Sequence, residues 1–120
     1  MNYYRLDIRT ENDISKYNAI SSLLQLSPRK LNLEDNLQYA VWSYEVLVKD
    51  EDNSYDFINN FLDILEPKFG ELEKKQIIRS DITFWFLYEY DQQCNMEFNP
   101  KEMKRLGENE ITLCISCWEK

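Results

Sequence analysis

The chain contains no histidine. That absence removes serine-histidine and cysteine-histidine nucleophile pairs, imidazole general bases and mixed cysteine/histidine zinc sites. Glycine is nearly missing as well: with two in 120 residues, no glycine-rich loop can wrap a phosphate. No apolar run approaches the length of a membrane-spanning helix. The opening MNYYRLDIRT carries a tyrosine pair and alternating charges where a secretory leader would have a basic stretch and an apolar stretch, so a cytoplasmic protein is expected. Cysteine is scarce and odd in number, three, with two of them in the last seven residues. That is no disulfide framework, and reduced thiols are expected. An enzyme built from this inventory would have to work with carboxylates, cysteine, tyrosine or lysine.

What the chain does have is acid. Asp and Glu number 22 against 14 Lys and Arg, a net charge of −8. This charge repels phosphate backbones and anionic lipid, so neither nucleic acid nor a membrane is expected as a partner, and it suits a basic protein. The length predicts one domain over 1–120, able to bury roughly two thirds of its unfolded surface.

Tyr3 to Thr10 alternates, with Tyr4, Leu6 and Ile8 on one side, and reads as a strand. From Asp13 the apolar set shifts to helical spacing through Ile14, Tyr17, Ile20 or Ser21, and Leu24, stopped by Ser27-Pro28. Val41 to Val48 is a second strand with Trp42, Tyr44, Val46 and Val48 inward. Asn53 or Ser54 can cap the main helix, whose stripe is Phe57, Ile58, Phe61, Leu62 and Leu65, and Pro67 predicts a break at Glu66 before a short turn through Phe69 and Leu72. DITFWFLYEY, residues 81–90, is apolar on both faces and reads as a central strand covered on both sides. Asn99-Pro100-Lys101-Glu102 opens a helix stopped by Gly107, and Glu110 to Trp118 closes the chain as a strand. The expected fold is α+β: a single four-stranded, mainly antiparallel sheet with helices mostly on one face, built as two related half-units joined by the long helix.

Three stretches invite a chemical reading. Cys114-x-x-Cys117 has a spacing that elsewhere holds zinc or exchanges disulfides. On a strand, however, residues three apart point to opposite faces, and no helix follows to lower a thiol pKa, so two small buried side chains are expected and no metal. Oxygens alternate at Asp50, Asp52, Ser54 and Asp56 as in a calcium loop, but Tyr55 replaces the turn glycine and Phe61 the bidentate glutamate, so no cation is expected. Asp50, Glu51, Asp52 and Asp56 form instead the densest acidic cluster and are the predicted partner-binding residues. The many aromatics fall mainly at core spacing, with Tyr3, Tyr39 and Trp85 as outward interface anchors.

Leu24-Gln25-Leu26-Ser27-Pro28, the Trp42-Ser43 strand opening, Leu62-x-x-Leu65-x-Pro67 and the helix-Gly-strand unit from Met103 to Trp118 together resemble a family of small bacterial domains designated a domain of unknown function. The likeness spans nearly the whole chain and implies a fold, without catalytic residues or a cofactor. In class and composition the chain is also similar to immunity proteins of bacterial polymorphic toxin systems. The resulting expectation is a non-enzymatic, cytoplasmic protein-binding module that neutralises a toxin by covering it. The alternative is a small ligand-sensing domain or enzyme with a pocket between sheet and helices.

Overall fold

A computed structural model describes residues 1–31, 34, 37–49 and 54–120. The elements in chain order are β1 (Asn2–Arg9), α1 (Ile14–Leu24), β2 (Val41–Val48), α2 (Phe57–Leu65), α3 (Phe69–Lys74), β3 (Ile82–Tyr90), α4 (Pro100–Glu108) and β4 (Thr112–Glu119). The four strands form one sheet in the order β2-β1-β3-β4. β1 pairs antiparallel with both β2 and β3, and β3 pairs parallel with β4. The architecture is α+β with a mainly antiparallel sheet, as the alternation in β1 and β2 predicts.

Register decides what each face carries. Ile8 sits opposite Trp42 and Ile82, Leu6 opposite Tyr44 and Phe84, and Tyr4 opposite Val46 and Phe86. These rows are the core side: Leu6, Ile8, Trp42 and Phe84 have no solvent exposure. Ile20 and Leu24 of α1, the apolar stripe of α2, Phe69 and Leu72 of α3 and Leu106 of α4 all join the same cluster. The Trp42 indole N–H donates to Ser21 Oγ of α1 at 2.9 Å, which satisfies its one polar atom inside the core.

The opposite face holds Tyr3, Arg5 and Asp7 with their neighbours Glu45, Leu47, Trp85 and Leu87. Here the expectation for 81–90 needs correcting. β3 is an interior strand, but Trp85 and Leu87 are only half-buried. The described helices all spend their apolar stripes on the other face, leaving these side chains to the Arg5–Glu45 ion pair at 2.6 Å and to their own rows.

The local signals resolve unevenly. Asp13 caps α1, accepting from Ser15 N–H at 2.8 Å and Lys16 N–H at 3.2 Å, and Gln25 ends the helix in the left-handed region at φ 54°. α2 stops at Leu65 and Pro67 lies in a short 3-10 turn, Glu66–Lys68, as a proline without an N–H requires. Asn99 caps α4, accepting from Lys101 N–H at 2.9 Å and Glu102 N–H at 3.2 Å. Gly107, however, lies inside α4; the left-handed residue that turns the chain into β4 is Glu110, at φ 56°.

Candidate functional site

The two ends of the sheet are finished differently. At the end carrying Ile8, Trp42 and Ile82, a 3-10 turn (Arg79–Asp81) leads into β3, and the Asp81 carboxylate accepts from Ile78 N–H at 3.0 Å and from Arg9 at 3.0 and 3.2 Å. At the other end the chain leaves β3 through a turn in which Gln92 adopts φ 66°. It then crosses the core side of the sheet as residues 94–98 before entering α4. Between this crossing segment, the entry to α2 and the sheet lies a cavity of about 450 Å³, within the range of small-ligand sites.

Six of its fourteen described lining residues are aromatic. Tyr4 stacks on Phe86 at 4.9 Å with planes 7° apart, and meets Phe57 at 5.2 Å and Tyr55 at 5.6 Å. Phe86 meets Tyr88 at 5.5 Å, and Phe98 lines the opposite side. The Tyr55 N–H donates to the Tyr4 hydroxyl oxygen at 3.4 Å, linking the α2 entry to the sheet. Burial raises the Tyr4 and Tyr55 hydroxyls above the ordinary tyrosine value, with nearby Tyr44 and Asp56 adding to the rise at Tyr55, so both rings stay neutral and electron-rich.

The charges around the rings have one sign. Asp56, Glu97 and Glu102 line the cavity, and among the described residues no lysine or arginine does. Asp56 stands at the N-cap position of α2, where its carboxylate accepts from Asn59 Nδ2 at 3.1 and 3.2 Å and makes no cap bond to the backbone. Glu102 is placed by the Asn99 cap in the first turn of α4. α4 is in turn held to α2 by Arg105, which donates to Asp63 at 2.7 Å, Glu66 at 3.1 Å and Asn59 Oδ1 at 2.9 Å. Hydrogen bonds from Arg105 hold Glu66 below the usual carboxylate range. Among the described residues no three His, Cys, Asp or Glu side chains converge to hold a metal ion. Separated carboxylates around a ring-lined hollow match an organic cation, attracted by ring faces and by charge.

Of the predicted partner-binding residues, Asp56 lies in this wall; Asp50, Glu51 and Asp52, like the proposed cap Asn53, fall outside the described residues. α2 begins at Phe57, so Ser54 is exposed ahead of the helix and does not cap it. Tyr3 and Trp85 lie on the face away from the core as anticipated, Tyr3 meeting Trp118 at 6.3 Å, whereas Tyr39 packs on Tyr17 at 5.1 Å. The cysteines depart from expectation. Cys114 and Cys117 do point to opposite faces of β4, but β4 is an edge strand, so Cys114 is half-buried and Cys117 exposed. Cys117 has a neighbour that linear spacing did not reveal: Cys94 Sγ lies 3.7 Å from its sulfur. Glu97 and Glu102 were also missed as site residues, because nothing in their local sequence ties them to Asp56. No family model, curated protein or solved structure matches the chain.

Proposed function

We propose that the protein is a non-catalytic binding module that neutralises a bacterial toxin by direct contact, and that its cavity takes a lysine or arginine side chain of that toxin. The observation that carries this reading is the lining: rings on the walls, carboxylates from Asp56, Glu97 and Glu102, and no basic residue among those described. A guanidinium or ammonium over such rings gains about 0.5–1 kcal/mol at an exposed site and about 2 when desolvated. The net charge of −8 extends the attraction over the approach path. The acids of Asp50, Glu51 and Asp52 precede Asp56 in the chain and add to that field. On this reading the protein acts in the cytoplasm of a bacterium, meeting the toxin before it acts.

Binding kinetics with the product of the adjacent gene provide the test. Replacing Glu97 and Glu102 with Gln removes charge while keeping shape, and faster dissociation is expected. Replacing Asp50, Glu51 and Asp52 with Ser is expected to slow association and flatten its salt dependence. Unchanged association and dissociation in both variants would contradict the proposal.

A further inference from the structure

Cys94 and Cys117 are far apart in sequence yet their sulfurs lie 3.7 Å apart, both side chains at the surface. We infer that Cys94 and Cys117 form a modification site: a dithiol that a small-molecule disulfide such as glutathione disulfide oxidises to an intramolecular bond, fastening the segment 94–98 to β4. Closing from 3.7 Å to the roughly 2 Å of an S–S bond requires only a small approach. Cys117 is held in β4, in register with Tyr88 of β3, so it stays in place. Cys94 stands in irregular chain just after the tight turn bridging Asp91 and Gln93, so the loop side absorbs the movement. Access for a reagent is given by the exposure of both thiols.

Chemically, one cysteine thiolate attacks the reagent's disulfide, forming a mixed disulfide and releasing one glutathione thiolate. The neighbouring cysteine thiolate then attacks the protein sulfur of that mixed disulfide, forming the intramolecular bond and releasing the second glutathione. The protein pair gives up two electrons and two protons, and the reagent is reduced to two thiols. The third cysteine does not compete: Cys114 sits opposite Trp85 on the other face of β4 and is half-buried. Asn95, Met96, Glu97 and Phe98, which follow Cys94, form one wall of the cavity. The bond therefore fixes that wall, a consequence for binding that rests on the function proposed above, whereas the bond itself does not.

The experiment is oxidation of the whole protein with glutathione disulfide, followed by intact mass and peptide mapping. The expected product lacks the mass of two hydrogens and carries no glutathione. Alkylation should be lost at two of the three cysteines, Cys94 and Cys117, and retained at Cys114. Amide exchange across 94–98 should slow on oxidation and recover on reduction. Cys114→Ser should oxidise like wild type, and Cys117→Ser should stop at a glutathione adduct on Cys94. Stable separate adducts on Cys94 and Cys117 in the wild type, linkage to Cys114, or complete resistance to the reagent would each overturn the inference. A toxin that binds the reduced and oxidised proteins alike would leave the disulfide standing and count against the role given to the cavity wall.

Discussion

The two ends of the sheet are made from the same strands and do opposite things. At the Ile8 end, Ile8, Trp42 and Ile82 are at most 1% exposed, and even the polar Thr10 and Ser43 are shut off from water. Toward the other end, Leu47, Ile115 and Trp118 are 37–42% exposed, Tyr88 is half-buried, and a hollow opens beneath residues 95–98. Close packing gives stability because each buried side chain fills its site. A gap lined by rings and acids gives none of that packing energy and is kept open by the elements around it. Under the proposed function, stability and binding are separated along the strand direction, and substitutions at the two ends should have separate readouts.

The largest effect should come from the shared centre of the core. Phe84→Ala removes a fully buried ring that meets Phe61 edge-on at 5.3 Å, and is expected to cost about 3–5 kcal/mol in denaturant unfolding. A cost near zero would mean the two ends are not joined by one core. Next is the tie between α4 and α2: Arg105→Ala severs α4 from Asp63, Glu66 and Asn59, and about 1 kcal/mol is expected, lessened by salt in the wild type only.

The pH dependence sharpens the contrast from the face away from the described helices. Burial raises the Asp7 carboxyl above its ordinary value, with the Ser43 hydroxyl and Arg29 opposing the rise. The fold therefore favours the protonated form. Its contribution to stability is complete below the ordinary carboxylate range and is lost as pH rises through the raised value. Asp7→Asn keeps a neutral side chain there, so the variant should be at least as stable as wild type at neutral pH, with the difference closing as the medium is acidified. A wild-type advantage at neutral pH would show that the ionised form is the favoured one. Smallest in stability should be Glu97→Gln with Glu102→Gln, about 0.5 kcal/mol or less, since neither carboxylate supports the core.

The packed end was legible in the sequence because its signals are local. Alternation placed Leu6 and Ile8 inward, Pro67 marked the end of α2, and Asn99 marked the start of α4. Gly107 misled because a glycine can be carried inside a helix when the next turn supplies the left-handed residue, here Glu110. β3 read as covered on both faces because a fully covered apolar face and the half-buried row of Trp85 and Leu87 share one pattern. The open end was largely hidden. Its cavity draws Tyr4, Asp56, Phe86, Glu97 and Glu102 from five separate stretches, and only Asp56 stood out, by charge density. Strand period correctly separated Cys114 from Cys117, yet burial and the Cys94 contact depend on strand order and loop path, which no spacing rule reports.

The central claim, that the cavity is a seat for a basic side chain, is tested most directly by an NMR titration with a blocked arginine peptide and with the same peptide carrying citrulline, which keeps the shape of the side chain and removes its charge. The account predicts that the arginine peptide shifts resonances of residues 54–58, 86–88 and 95–98, that citrulline does so far more weakly, and that Glu97→Gln with Glu102→Gln abolishes the difference. Equal shifts from both peptides, or shifts confined to the packed end of the sheet, would contradict it.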